Sequence, residues 1–178
     1  MKTATRTAYV DTISISPGPL AFAVNANGAL IRLGFLDGDY PDSLETVLTC
    51  DGYVIERDET LTAPVRSQLL EYCAGTRRDF DLPLAPAGTE WQQQVWRALT
   101  GIPFAETRSY GAIAAQLGRP GAARAVGRAN ATNPIALVVP CHRVIGANGS
   151  LTGFAGGTHI KERLLSHESR VAGAAATE

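Results

Sequence analysis

The stretch Ser109-Tyr110-Gly111-Ala112-Ile113-Ala114-Ala115-Gln116-Leu117-Gly118-Arg119-Pro120-Gly121-Ala122-Ala123-Arg124-Ala125-Val126-Gly127-Arg128-Ala129-Asn130-Ala131 reads as two short helices around a tight turn. Ser109 can cap the first helix, Tyr110 to Leu117, and Gly118 terminates it. Pro120 and Gly121 turn the chain into the second helix, Ala122 to Ala131, which Asn133-Pro134 ends. Short helices joined by a Gly/Pro turn predict a helix-turn-helix. Arg124 and Arg128 lie four residues apart and project from one helical face. Ala122, Ala123 and Ala125 keep that helix slim enough to approach a backbone or a groove closely.

Downstream, Ile135 to Val139 predicts a short buried strand or extended run leading into Pro140-Cys141-His142-Arg143-Val144-Ile145. A glycine-rich loop, Gly146 to Gly157, follows. A last helix is expected from His159 to Glu168, with Ile160, Leu164 and Leu165 on its inner face. The alanine-rich residues from Val171 on are expected to fray. Upstream, Thr89 caps a helix whose Trp91, Val95, Trp96 and Leu99 share one core-facing side. Gly101-Ile102-Pro103 closes it.

Leu82-Pro83-Leu84-Ala85-Pro86-Ala87-Gly88 reads as an extended connection between domains. Before it, Ala8 to Ile15 ends at the turn Ser16-Pro17-Gly18-Pro19. Leu20 to Val24 and Ala29 to Leu36 flank the hairpin turn Asn25-Ala26-Asn27-Gly28, and Asp37-Gly38-Asp39 breaks the second strand. A helix from Leu61 to Ala74 is predicted, capped by Thr62, with Pro64 in its first turn and Gly75 at its end. The expected fold class is α/β of the α+β kind. Residues 1–86 form a strand-rich scaffold domain with a small antiparallel sheet. Residues 87–170 form a mainly helical domain with the helix-turn-helix, and 171–178 a flexible tail.

The chain has 178 residues, 45% apolar and 19% charged, as in folded globular proteins. That excludes a disordered or low-complexity chain. No apolar run is long enough to span a membrane. The polar, threonine-rich start lacks the apolar core of a secretory leader, so a cytoplasmic protein is expected. The net charge of −1 hides an asymmetry: residues 1–90 hold 7 Lys/Arg against 13 Asp/Glu, whereas residues 91–150 hold 6 Arg against Glu106 alone. The basic segment has the footprint of a polyanion-binding surface, or of a solvated face whose counter-charges lie on the other half.

Three cysteines, at 50, 73 and 141, lack metal-ligand or redox spacing, and a reducing compartment is expected. Cys50 and Cys73 read as small buried apolar residues. Cys141 differs, standing after a buried run and a proline and before a flexible glycine loop. A free thiol has a pKa of about 8.5 and needs a base or a positive environment to react. His142 and Arg143 are adjacent in sequence, but neighbours on a strand point to opposite faces, so their approach needs a turn at Pro140. His142 would need an orienting acid, for which Glu168 is the candidate; Glu162, flanked by Lys161 and Arg163, reads as a surface residue. On chemistry alone, Cys141-His142 is a reactive pair or a structural one.

Pro140-Cys141-His142-Arg143-Val144 resembles the active-site signature of the O6-alkylguanine-DNA alkyltransferases. The likeness extends, in the family's order, through Trp91-Gln92-Gln93-Gln94-Val95-Trp96, Ile102-Pro103-Phe104, Thr107-Arg108-Ser109-Tyr110, Ala122 to Gly127, Asn133-Pro134, the Gly149 to Gly157 loop, Lys161, and Leu164-Leu165-Ser166-His167-Glu168. The first 85 residues agree in length and strand-rich character only. The resemblance implies single-use transfer of an alkyl group from O6-alkylguanine in double-stranded DNA, and by extension from O4-alkylthymine, to Cys141. It implies His142 as base through a water, Glu168 as its orienting acid, and Asn133 as the brace of the nucleophile's turn. It implies Tyr110 as proton donor to the leaving base and Arg124 as the finger that fills the gap left by the flipped nucleotide. Ala123, Arg128 and Ser109 are the further DNA contacts, and Val144, Phe154 and Ala155 the pocket. No metal or organic cofactor is expected. A monomer is expected, with cooperativity on DNA left open.

Phe154 stands where the family commonly has tyrosine, and Ala105 replaces a common glycine. The first domain lacks the Cys/His cluster with which some members bind zinc. Three other readings compete. One is a non-enzymatic sensor of alkylguanine, whose known relatives carry tryptophan at the nucleophile position. Another is a transcription factor, suggested by the helix-turn-helix. The third is a hydrolytic Cys-His enzyme, which would turn over.

Overall fold

In the computed structural model, residues 6–16, 18–37, 43–154 and 156–175 are described. The chain divides into two compact units, Met1–Ala87 and Gly88–Glu178. The expectations at Pro17, within Asp37-Gly38-Asp39, at Ala155 and at residues 176–178 fall partly or wholly outside the described residues.

In the first unit, β1 (Arg6–Ile13), β2 (Leu20–Asn25) and β3 (Leu30–Phe35) form an antiparallel meander. The β2–β3 hairpin forms where Asn25 to Gly28 predicted it. Asn25 Oδ1 accepts from the amides of Asn27 and Ala29, both at 3.0 Å, and Gly28 takes φ +74°, which suits glycine. Helix α1 (Leu44–Cys50), capped by Ser43, then leads into β4 (Tyr53–Glu56), which pairs with β1 in parallel. The sheet order is therefore β3-β2-β1-β4. Ala8, Val10, Ala23, Ile31 and Leu48 make one apolar cluster, with Leu44, Tyr53 and Ile55 at its margin.

Helix α2 (Glu59–Cys73) packs on β1 and β2 through its buried Val65 and Leu69. Its cap is Asp58, whose Oδ1 accepts from the amides of Thr60 at 2.8 Å and Leu61 at 3.2 Å, and not Thr62 as expected. Thr62 lies inside the helix and donates to Asp11 Oδ2 at 3.2 Å, beside the Arg66–Asp11 ion pair at 2.6 Å. Pro64 is consequently a turn deeper than predicted. Cys50 is exposed and Cys73 half-buried, because Leu48 alone carries the buried side of α1 and Val65, Leu69 and Tyr72 carry that of α2.

In the second unit, α3 (Glu90–Thr100) opens with a reciprocal capping box. Thr89 Oγ1 accepts from the Gln92 amide at 3.3 Å, and Gln92 Oε1 accepts from the Thr89 amide at 2.8 Å. Val95, Trp96 and Leu99 are buried; Trp91 is partly so. Trp96 Nε1 donates to Ala129 O at 2.8 Å and Trp91 Nε1 to Ala125 O at 3.3 Å, fastening α3 to α5 (Ala123–Ala131). Helix α4 (Tyr110–Gln116) precedes α5 and packs against it through Ile113, Ala114, Val126 and Ala129, the expected helix-turn-helix. Gly118, at φ +70°, makes the left-handed stop between them.

The run from Ile135 to Val139 is buried but is a turn rather than a strand. Asn133 accounts for this: its Oδ1 accepts from the Ile135 amide at 3.0 Å, and its Nδ2 donates to Val139 O at 2.8 Å. A side chain thus replaces the partner strand that buried backbone groups would need. The last helix, α6 (Thr158–Ala175), runs past the predicted end at Glu168 through residues expected to fray.

Candidate active site

Two features bring the predicted residues together. Strand β5 (Arg108–Ser109) pairs in parallel with β6 (Val144–Ile145), so the start of α4 lies beside the turn that carries the cysteine. Between Pro140 and β6, Cys141–Arg143 form one 3-10 turn. This turn, rather than a strand, removes the alternation that would have sent Cys141 and His142 to opposite faces.

Cys141, His142, Asn133 and Glu168 are all buried. Burial pushes the Cys141 thiol up; Asn133, the positive charge of Lys161 and nearby amides pull against it without reversing the shift. At rest it is a neutral thiol. Burial also lowers His142, against the opposing pull of Glu168, so the ring is neutral near pH 7. His142 Nε2 lies 2.8 Å from Glu168 Oε1, while its Nδ1 is buried with no hydrogen-bond partner, Cys141 included. An ionised carboxylate only accepts, so Nε2 carries the proton and Nδ1 holds a free lone pair.

Glu168 stays ionised in spite of its burial. Burial would raise it, but the bonds from His142 and Arg143 outweigh that and hold it far below the usual carboxylate range. Arg143 donates from Nε to Oε2 at 3.0 Å and from Nη2 to Oε1 at 3.0 Å, and from Nη1 to Ile102 O at 2.6 Å. The Ala105 amide adds a bond to Oε2 at 2.9 Å. Arg143 thus neutralises the acid that orients His142, a role its place in the sequence did not disclose.

Tyr110 Oη donates to Thr152 O at 2.7 Å, and burial raises its pKa, so the phenol keeps its proton. A Cβ on Gly153 would stand 3.0 Å from that hydroxyl. Lys161 is fully buried, and its Nζ donates to Val144 O at 2.5 Å and Thr152 O at 2.8 Å. Burial lowers it to about 8. Asn130, also buried, donates from Nδ2 to Cys141 O and to Gly153 O, each at 3.3 Å. Sequence reasoning gave Asn130 and Lys161 no task. The available signal was a polar residue, Asn130, on the apolar stripe of Val126 and Ala129, three and four residues along one helical face.

The other predicted DNA contacts are on α5 and at the start of α4. Arg124 and Arg128 are exposed on α5, and among the described residues neither has an ion-pair partner. Ala123 is half-buried at the start of α5, which no side chain caps. Ser109 is spent as the cap of α4, its Oγ accepting from the Ala112 amide at 3.1 Å. Phe154 and Val144 are buried near the turn. Among the described residues, no group of three or more His, Cys, Asp or Glu is placed to hold a metal ion, and no helix is long and apolar enough to cross a membrane.

A family model described as "6-O-methylguanine DNA methyltransferase, DNA binding domain" matches residues 90–170. A methylated-DNA–protein-cysteine methyltransferase of Methanosarcina acetivorans is 48% identical over 155 residues, covering 85% of this chain and 92% of the relative. One of Mycobacterium leprae is 48% identical over 151 residues, covering 85% and 86%. The crystal structure of Mycobacterium tuberculosis OGT in complex with DNA superposes with a TM-score of 0.80 at 44% identity, over 92% of this chain and 94% of that one. The O6-methylguanine-DNA methyltransferase of Pyrococcus kodakaraensis, 22% identical with a TM-score of 0.62, shares the fold.

Proposed function

The chain belongs to the methylated-DNA–protein-cysteine methyltransferase family, and from that premise we propose that it repairs O6-alkylguanine in duplex DNA by taking the alkyl group onto Cys141 once and irreversibly. The observation that carries this reading is the tautomer of His142. Glu168 engages Nε2 and leaves Nδ1 as a buried, partnerless acceptor one residue from the thiol.

The chemistry follows in order. An O6 substituent lies within the base stack, out of reach of a buried thiol, so the nucleotide rotates out at a cost of a few kcal/mol. Arg124, exposed on the slim face of α5, fills the space left behind. The uncapped start of α5 and the free Arg128 suit phosphates, so binding weakens with salt. His142 Nδ1 then takes the thiol proton through a water. The thiolate attacks the alkyl carbon; the S–C bond forms as the C–O bond breaks, and the electron pair leaves with guanine. Tyr110, a neutral phenol, passes its proton to guanine N3 and is reprotonated from the imidazolium through solvent. The net change is thiol plus alkylguanine to thioether plus guanine. No group at the site can cleave a thioether, so the protein acts once. The same pocket would admit O4-alkylthymine, and a single copy carries every residue invoked.

Cys141 itself weighs against a sensor without chemistry. The deciding experiment is intact-protein mass spectrometry after mixing with an O6-methylguanine duplex. One added methyl group per chain, mapped to the peptide holding Cys141, is expected. Tight binding with no mass gain would withdraw the assignment.

A further inference from the structure

Asn130 has no part in the transfer as written, yet its placement is costly. A buried amide is costly unless its polar atoms are paired, and Asn130 is 2% exposed. It uses both hydrogens of Nδ2, one on Cys141 O and one on Gly153 O, each at 3.3 Å. Its Oδ1 has no partner. The reversed amide would set an oxygen against two carbonyl oxygens, so the two Nδ2 bonds alone fix its orientation.

These bonds join the nucleophile's own residue to the glycine loop. Lys161 makes a second bridge of the same kind, from Val144 O to Thr152 O. The turn 141–144 and the loop 152–153 are thus pinned at two points, and the loop continues into the buried Phe154. The Asn130 bonds, at 3.3 Å, are the longer pair and lie at the thiol end.

We infer that Asn130 is a positioning residue that sets the size of O6 substituent the site accepts, by clasping the glycine loop to the backbone of Cys141. The inference rests on Cys141 as alkyl acceptor. With the clasp in place, a methyl carbon is held close to the sulfur. Without it, the loop retreats; a methyl group loses its backing while a benzyl group gains room.

The test is single-turnover transfer from two duplexes of one sequence, carrying O6-methylguanine or O6-benzylguanine. Wild type is compared with Asn130→Ala and with Asn130→Leu, which keeps nearly the same size and has no donor. Both variants are expected to shift the methyl-to-benzyl rate ratio toward benzyl by about fivefold or more. Each rate constant describes only the molecules that react, so partial unfolding lowers amplitude and leaves the ratio unmoved. A ratio unchanged in either variant overturns the inference. Wild type that accepts no alkyl group from either duplex overturns the underlying assignment instead.

Discussion

The two units bury different things. Among the described residues, the first keeps one polar side chain, Thr62, in its interior, and the second keeps six: Asn130, Asn133, His142, Arg143, Lys161 and Glu168. The first is a sheet and two helices closed over apolar side chains, with its ion pairs, such as Arg32–Asp51 and Arg57–Glu45, on the surface. Exposed pairs of that kind contribute about 0–1 kcal/mol. The second gathers its buried charge around one cysteine. A buried ion pair adds little net stability over an apolar substitute, so its retention points to chemistry rather than to folding. The contrast is between a unit closed over apolar side chains and one that buries charge.

The strongest test of that contrast is Cys141→Ala. Transfer is expected to vanish entirely while affinity for the alkylated duplex, read by fluorescence anisotropy, stays within about threefold of wild type. Retained transfer would move the acceptor elsewhere.

Much of this contrast could be read before the fold was known, but unevenly. The caps Thr89 and Ser109 and the stop at Gly118 are local signals, and α3, α4 and α5 formed where they pointed. The parallel pairing of β4 with β1 is not local, since β2, β3 and α1 all intervene between them in the chain. Thr62 and Pro64 imitate a helix start because both residue types favour first turns; Asp58 wins by offering its carboxylate to two free amides. The turn at 135–139 was hidden because Asn133 supplies the pairing that an apolar run usually takes from another strand. Cys141, His142 and Glu168 were legible as chemistry. Arg143, Asn130 and Lys161 were not, because their partners lie 9 to 41 residues away and only the fold delivers them.

Next in size is Glu168→Ala. It strands Arg143 and frees His142 and the Ala105 amide together, so a loss of about 3–5 kcal/mol is expected. Both tryptophans, Trp91 and Trp96, lie in the second unit, so intrinsic tryptophan fluorescence in urea reports that unit. The same probe reads the pH dependence. His142 is lowered below its unfolded value near 6.5, so on acidification the unfolded chain takes a proton that the folded one refuses. Glu168, also lowered, adds to the loss once pH falls through about 4.3. The urea midpoint of the second unit should therefore fall from pH 7 to 5. A flat midpoint over that range would mean that folding leaves His142 unshifted, and a midpoint that rises on acidification would mean that the fold keeps it charged.

A smaller effect divides the second unit itself. Arg124→Ala is expected to slow reaction with duplex DNA by about tenfold, roughly 1.4 kcal/mol, while leaving reaction with free O6-benzylguanine base within about twofold. Equal losses on both substrates would assign Arg124 to the fold instead of to extrusion.

The smallest effect is expected at Ala105, which with Leu137 occupies the left-handed region, at φ +61° and +71° respectively. That conformation costs a non-glycine residue about 1–2 kcal/mol. Glycine at 105 removes the cost but adds about 0.4–1 kcal/mol of unfolded-state entropy, so Ala105→Gly should stabilise by about 0.5 kcal/mol. The Ala105 amide that donates to Glu168 is kept by the change. Leu137 shares the backbone strain, but its side chain is 1% exposed, and its removal costs about 2–5 kcal/mol. Leu137→Gly should therefore destabilise. Opposite signs in the urea midpoints of the two variants would show that Ala105 carries strain that nothing packed around it requires, whereas at Leu137 the packing of the nucleophile's turn holds the strain in place.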